Sequence, residues 1–185
     1  TRNGEEARIL DVLEQLDRNA LLLLVPRHPQ RFDDVAGMIR NRKIPMIRRS
    51  TLHDLSANAL SPDTRILLGD SMGEMFMYYA ACDIAFIGGS LEKLGGQNLI
   101  EACAVGKPVL IGPHTFNFEA ITKDAIAAHA AIRITSATEL MQRANELLSD
   151  RTLHQTMSDN ALLFAEKQHG ATERTLELLI PLIEK

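Results

Sequence analysis

The sequence has few of the features that mark secreted or membrane-spanning proteins. Its two cysteines, Cys82 and Cys103, lie in apolar surroundings without CxxC spacing, which indicates buried free thiols in a reducing compartment. The longest aliphatic run covers residues 20–25. A membrane helix needs about 20 such residues, so the sequence contains no candidate for one.

An excess of positive charge is also missing. The net charge is −4 and the isoelectric point is near 5.9. Nucleic-acid binders usually show a basic surface, so we expect no nucleic-acid partner. The 185 residues are 45% hydrophobic and 24% charged, which excludes a disordered tail or a fibrous repeat and suits a single domain with its own core.

Several common catalytic motifs do not occur. The chain has no GxGxxG dinucleotide fingerprint and no GxxxxGK[ST] phosphate loop. It has no Asp-x-Asp pair, and its six histidines show no HxxxH or HxxE spacing. We therefore expect no cofactor and no metal held by paired carboxylates.

What the sequence does contain is a regular alternation of apolar runs and helical patterns. Strands are expected at 20–25, 44–47, 65–68, 83–87, 108–111 and 131–134. Helices are expected at 3–18, 30–42, 72–81, 97–105 and 117–129, with two or three more from 136 onward that break near Asp150 and Gly170. A capping box at Asn3–Glu6 opens the first helix. The alternation predicts an α/β fold with a doubly wound six-stranded parallel sheet, order 3-2-1-4-5-6, in one domain over 1–185.

Ligands of such a sheet bind beyond the carboxyl ends of the strands, where strands one and four meet. The glycine pair Gly95–Gly96 precedes a predicted helix, whose first amides and dipole attract an anion such as phosphate. Glu101 follows about one turn later, where its carboxylate suits ribose hydroxyls, and Arg27 adds positive charge from across the crevice. The alternative is that the glycines only form tight turns.

A second alternative comes from residues 69–73, which read GDSMG and match the GxSxG pattern. This segment follows a predicted strand and precedes a helix, as the nucleophile of a serine hydrolase does. The sequence offers no HGGG-type oxyanion loop and no clear acid or base partner for Ser71. A hydrolase is therefore the less favoured interpretation.

Three segments together carry a resemblance to a known family. They are VPRHPQRF at 25–32, GDSMGEM at 69–75 and FIGGSLEKLGGQNLIEACAVGKPVLIGPHTFNF at 86–118. The sequence resembles the C-terminal half of bacterial 3-deoxy-D-manno-octulosonic acid (Kdo) transferase over nearly its whole length. Gln97 departs from the pattern, since many members have histidine there.

The resemblance implies a two-domain, B-type glycosyltransferase whose Rossmann-like C-terminal half binds the donor CMP-Kdo. By position, Arg27 would contact the nucleotide, Gly73 to Met75 would border the cytosine, and Glu101 would hold the ribose. The candidate donor-binding residues are Pro26, Arg27, His28, Gly73, Glu74, Met75, Ser90, Gly95, Gly96, Gln97, Asn98, Leu99, Ile100 and Glu101.

The same resemblance implies an inverting, metal-independent transfer of Kdo to the lipid A precursor in lipopolysaccharide assembly. The general base, the acceptor groove and the association with the inner membrane surface, on its cytoplasmic face, are expected in the N-terminal half. We expect this chain to be soluble, to bind CMP or CMP-Kdo weakly and not to turn over. Two alternatives stay open, another B-type UDP-sugar transferase or epimerase and a non-catalytic binding module.

Overall fold

The computed structural model describes residues 1–52 and 60–168. Six short strands alternate with helices, as expected. The strands are β1 (Leu22–Leu24), β2 (Met46–Arg48), β3 (Ile66–Leu68), β4 (Ala85–Ile87), β5 (Val109–Ile111) and β6 (Ala131–Arg133). The helices are α1 (Glu5–Asp11), α2 (Phe32–Asn41), α3 (Met75–Ala81), α4 (Ile100–Ala104), α5 (Glu119–Ala127), α6 (Ala137–Ser149) and α7 (Arg151–Gln168).

All strand pairs are parallel, which confirms the α/β class, but the arrangement of the strands corrects the prediction. The strands form two three-stranded sheets, ordered β1-β3-β2 and β4-β5-β6, rather than one continuous sheet of six. β3, not β2, lies in the middle of the first sheet. β3 is the more deeply buried of the two, since Ile66 and Leu68 are fully buried whereas β2 is half-buried throughout. A central strand is covered by neighbours on both sides, and β3 is the strand whose apolar side chains benefit more from that position.

β1 and β4, which the sequence places side by side, are the edge strands of the two sheets. Instead of pairing with each other, they have the backbone of Thr1 between their carboxyl ends. The Thr1 amino group donates to the carbonyl of Val25, and its carbonyl accepts from the amide of Arg27. On the other side, a Cβ added to Gly88 would lie 2.8 Å from the Thr1 Cα.

The helices cover both sheets and divide the core into two clusters. Side chains of α1, α2 and α6 pack with the first sheet and with one face of the second, around Leu24, Ile39, Ile66 and Leu110. Side chains of α4 and α7 pack with the second sheet, around Ile87, Cys103, Ile111 and Phe164. Both cysteines are free thiols, and the predicted burial is confirmed for Cys103 but wrong for Cys82, which is half-buried.

The predicted helix boundaries are correct near Asp150, where α6 ends and α7 begins, and wrong at three starts and one end. α1 ends at Asp11 rather than at residue 18, and α3 begins at Met75 rather than at residue 72. α4 begins at Ile100 rather than Gln97. α1 begins after Gly4 without a side-chain cap, because the neighbouring carboxylates of Glu5 and Glu6 bind other parts of the chain. The predicted break near Gly170 lies outside the described residues.

Candidate functional site

A cavity of about 970 Å³ opens between the carboxyl ends of β1 and β4, the edge at which a ligand is expected. Seven of the fourteen candidate donor-binding residues line it, although they come from three separate segments of the chain. These residues are Arg27, Gly73, Glu74, Met75, Gln97, Asn98 and Glu101. We call this polar end of the cavity the mouth.

Two of these side chains meet across the mouth. The Arg27 guanidinium donates from Nη1 to the Gln97 Oε1 at 2.7 Å, joining the loop after β1 to the turn before α4. Arg27 is exposed, so its charge is available at the surface of the mouth. Gln97, the residue that departs from the family pattern, therefore orients the arginine in this protein.

The turn before α4 is held by contacts within the chain. The Gly96 amide donates to the Gly89 carbonyl at 2.8 Å, and the Ile100 amide donates to the Asn98 Oδ1 at 3.0 Å. Two of the amides expected to face an anion are thus already paired, and α4 is only five residues long. The side chains of Arg27 and Asn98, more than a helix terminus, make this turn suited to an anion.

Glu101 lies in the first turn of α4, on the wall of the mouth. Its carboxylate is exposed, and no hydrogen bond or ion pair joins it to another described residue. It lies near the phenol of Tyr79, whose pKa is raised by burial and by this carboxylate. An exposed carboxylate on a cavity wall can accept two hydrogen bonds from a diol, such as that of a ribose.

The opposite wall is formed by the turn from Gly73 to Met75. Gly73 has a positive φ of 77°, and a Cβ there would meet no atom within 4 Å, so the left-handed turn itself selects glycine. Glu74 accepts from Arg49 at 2.8 Å and also from Ser71, and the Ser71 hydrogen bond is the largest cause of its lowered pKa. Met75 is exposed, leaving an apolar surface next to the fixed carboxylate.

Ser71, the serine of the GxSxG pattern, has no imidazole partner among the described residues. Its hydroxyl contacts the Glu74 carboxylate and the Tyr78 phenol. The preceding Asp70 binds the Ser50 amide and hydroxyl at 2.8 and 2.6 Å, as well as Arg48, and so ties β3 to the turn after β2. A serine nucleophile needs an adjacent base that can take its proton, and the Glu74 carboxylate is a weak one because its pKa is lowered by Ser71 and Arg49. This geometry does not support a hydrolase.

The two glycine pairs make room mainly for other parts of the chain. A Cβ on Gly95 would lie 2.2 Å from the Asn117 Nδ2, and one on Gly88 would meet the Thr1 backbone. Gly89, Gly95 and Gly96 have positive φ angles, as the tight-turn interpretation expects, whereas Gly88 gives space to the Thr1 backbone.

Glu5 is a positioning residue of the site that sequence reasoning missed. Its carboxylate is fully buried and accepts from the amides of Gly89, Ser90 and Leu91 at 2.7–3.0 Å, and from the Arg2 amide at 2.8 Å. Three consecutive amides of the loop after β4 thus bind one carboxylate. The only sequence signal was a pair of glutamates at the start of α1, which is also what ordinary helix capping looks like.

The other candidate residues take varied positions. Ser90 is buried, donates to the Ile87 carbonyl and accepts from the Gly112 amide, so its hydroxyl contacts the chain itself. Pro26 and Leu99 are buried beside the mouth, whereas His28 is exposed. These residues do not line the cavity, and their proposed contacts with a nucleotide stay predictions.

Two features are absent from the described residues, 1–52 and 60–168. No three histidine, cysteine, aspartate or glutamate side chains there converge as metal ligands. No helix in the same ranges is long and apolar enough to cross a membrane.

Comparison with known proteins identifies the family. Residues 9–163 match the family described as glycosyl transferases, group 1. The chain belongs to this glycosyl transferase family. Residues 9–163 include both sheets and every element that lines the mouth, so the family assignment covers the candidate site as well as the fold.

Similar curated proteins agree in their description. The chain is 44% identical to a 3-deoxy-D-manno-octulosonic acid transferase of Bordetella pertussis, over 97% of this chain and 42% of that protein. It is 40% identical to the transferase of the same description from Haemophilus influenzae, over 100% of this chain and 43% of that protein. The chain therefore spans less than half the length of these relatives.

Solved structures similar to this glycosyl transferase domain include the C-terminal CMP-Kdo binding domain of WaaA from Acinetobacter baumannii. The TM-score is 0.81 at 30% identity, over 89% of this chain and 84% of that one. WaaG, a glycosyltransferase involved in lipopolysaccharide biosynthesis, matches with a TM-score of 0.61 at 19% identity, over 96% of this chain and 43% of WaaG. The WaaG match supports the fold alone.

Proposed function

We propose that this domain binds CMP-Kdo and forms the donor half of a Kdo transferase. The observation that carries the proposal is the meeting of Arg27, Asn98 and Glu101 at one cavity mouth, in a chain whose relatives are Kdo transferases. The similar domain of WaaA is described as binding CMP-Kdo, which favours the same donor here.

In this proposal each wall of the mouth meets a different part of the nucleotide. Arg27, held by Gln97, faces the phosphate, where its charge stabilises the CMP leaving group as the glycosidic bond breaks. Glu101 accepts hydrogen bonds from the ribose hydroxyls. The turn from Gly73 to Met75 borders the cytosine, with Met75 supplying apolar contact and the fixed Glu74 carboxylate supplying an acceptor.

The acceptor chemistry belongs to the rest of the protein in this proposal. A base in the other half deprotonates the hydroxyl of the lipid A precursor, which attacks the anomeric carbon of Kdo with inversion and releases CMP. The N-terminal half also supplies the acceptor groove and the contact with the cytoplasmic face of the inner membrane. No step of this scheme uses a metal ion.

Calorimetric titration with CMP, UMP and UDP tests the donor assignment. We expect CMP to bind more tightly than UMP or UDP, because the wall at Glu74 offers an acceptor to the cytosine amino group. A Glu101→Gln variant should bind CMP weaker by roughly 1.5–3 kcal/mol, since one oxygen that accepts from the ribose becomes a donor.

The control for this titration is Glu14→Gln, which changes an exposed glutamate outside the cavity. Tighter binding of UDP than of CMP would assign the mouth to a UDP-sugar enzyme instead. Binding of no nucleotide would favour a non-catalytic module. Unchanged CMP affinity in Glu101→Gln would show that the ribose lies elsewhere.

A further inference from the structure

The Glu74 carboxylate at the mouth is held by three side chains from different parts of the chain. Arg49, in the segment after β2, donates from Nη2 to the Glu74 Oε1 at 2.8 Å. Ser71, in the turn after β3, donates to Oε2, and the Tyr78 hydroxyl of α3 donates to the same oxygen at 3.2 Å. Both oxygens of the carboxylate are therefore fixed by contacts within the chain.

Arg49 reaches this carboxylate because of the way the first sheet is paired. β2 and β3 are parallel neighbours, with Arg48 opposite Leu68, so the residues that follow the two strands begin side by side. Asp70 fixes that junction, because its carboxylate accepts from Arg48 and from the amide and hydroxyl of Ser50. Arg49 is thus anchored on both sides, and it does not itself line the cavity.

The number of partners leaves the carboxylate one acceptor position for a ligand. An ionised carboxylate has about four such positions. Arg49 uses one on Oε1, and Ser71 and Tyr78 use two on Oε2, whereas the other described residues form no hydrogen bond with it. The Glu74 side chain is 27% exposed and lines the mouth, so a ligand can reach the remaining position on Oε1.

A carboxylate in a fixed orientation distinguishes the two common pyrimidines. Cytosine has an amino donor at position 4, where uracil has a carbonyl acceptor. The carboxylate accepts from the amino group and repels the carbonyl oxygen. Uracil has a donor of its own at the adjacent N3, which a freely rotating carboxylate can reach. A carboxylate held at both oxygens cannot turn toward N3, so the orientation itself disfavours uracil.

We propose that Arg49 and Ser71 are positioning residues that make the mouth select cytosine over uracil by fixing the Glu74 carboxylate. The inference rests on the proposed function, in which the turn from Gly73 to Met75 borders the base. Ser71 also lowers the pKa of Glu74, which keeps the carboxylate ionised as an acceptor. The hydroxyl of the GxSxG pattern thus holds a carboxylate instead of acting as a nucleophile.

The test is the ratio of the dissociation constants of UMP and CMP, measured by calorimetry. A change that only loosens the fold weakens both nucleotides and leaves this ratio alone. In Arg49→Ala the ratio should fall about fivefold, and in Ser71→Ala about threefold, the size expected when one hydrogen bond stops holding the carboxylate. Arg49→Lys should recover part of the ratio, because the contact is a single N–H···O bond that an ammonium group can also make.

Glu74→Gln shows whether Arg49 acts through the carboxylate. The amide can donate to the uracil carbonyl as well as accept from cytosine, so the ratio should approach unity. Adding Arg49→Ala to this variant should change the ratio by less than about twofold, since there is no carboxylate left to position. A further fivefold change would mean that Arg49 acts elsewhere and would contradict the proposal.

The matched control is Arg42→Ala, which breaks an ion pair with Asp11 outside the cavity and should leave the ratio unchanged. A wild-type chain that prefers CMP, with the same ratio in folded Arg49→Ala and Ser71→Ala, would overturn this inference and leave the proposed function intact. A wild-type chain without a preference for CMP, or without nucleotide binding, would overturn both. If circular dichroism shows that Arg49→Ala does not fold, Ser71→Ala, which removes one oxygen, decides the question.

Discussion

Arg27 is the exposed cation of the mouth, and its guanidinium is oriented by the 2.7 Å hydrogen bond to Gln97. Replacing it in Arg27→Ala should weaken CMP binding by about 1 kcal/mol, or about fivefold, since solvent and salt screen an exposed charge–phosphate contact. Cytidine, which lacks the phosphate, should lose little. Calorimetry with both ligands measures the difference.

The matched control is Arg40→Ala, which removes an exposed arginine from α2, outside the cavity. It should leave the affinity for CMP unchanged. Equal losses for CMP and cytidine in Arg27→Ala would remove Arg27 from the phosphate and give it only a structural part.

At this scale the sequence predicted which residues gather at the mouth better than it predicted what they contact. Arg27, Glu74 and Glu101 follow strands or begin helices, and parallel strands bring such positions to one edge whatever their spacing. The partners of Glu5 and Gly95 lie 84 and 22 residues away along the chain. No local sequence pattern indicates such contacts. The sequence around Glu5 is therefore also consistent with ordinary helix capping, and the sequence around Gly95 with an open turn.

Between elements, the Glu5 carboxylate is the connection that joins α1 to the loop after β4. In Glu5→Gln an NH₂ group replaces one oxygen and faces backbone donors that need an acceptor. The free energy of unfolding should fall by about 3 kcal/mol, because charged hydrogen bonds are lost and a buried amide is left without a partner. Chemical denaturation of the wild type and the variant measures this loss.

The control for this variant is again Glu14→Gln, whose exposed carboxylate has no such contacts and should change stability by less than about 0.5 kcal/mol. CMP affinity provides a second readout, because a displaced loop after β4 shifts the turn that carries Asn98. Wild-type stability together with wild-type affinity in Glu5→Gln would show that the loop holds its shape without the carboxylate.

All six strands could be predicted because each is a short apolar run ended by glycine, proline or a charged residue. Their order could not, since hydrophobicity predicts burial but not which neighbour forms the hydrogen bonds. β3 contains only apolar residues, whereas β2 ends with Arg48, and β3 is the more buried of the two. β3 is the central strand of its sheet. The start of α4 was misplaced because the Asn98 side chain accepts from the Ile100 amide and holds a turn at residues that the sequence suggests are already helix.

Taken as a whole, the chain is a glycosyl transferase domain built on parallel strands. The family assignment and the fold were within reach of the sequence because the segment 86–118 is long and specific. The pairing of the strands into two sheets was not, since hydrophobicity does not show which strands are neighbours. The backbone of Thr1 lies between the two sheets at their carboxyl ends. It joins β1 through hydrogen bonds and packs against the end of β4.

We expect this chain, on its own, not to catalyse Kdo transfer. The carboxylates at the mouth are Glu74, whose pKa is lowered by Ser71 and Arg49, and Glu101, which is proposed to bind the ribose. A carboxylate held ionised by such partners is a weak base, and attack on CMP-Kdo needs one aligned with the acceptor hydroxyl. We expect the chain to bind CMP and to show no Kdo transfer to a lipid A precursor, whereas the full-length protein transfers under the same conditions. Detection of the Kdo-modified lipid by mass spectrometry with the chain alone would place the base within these 185 residues.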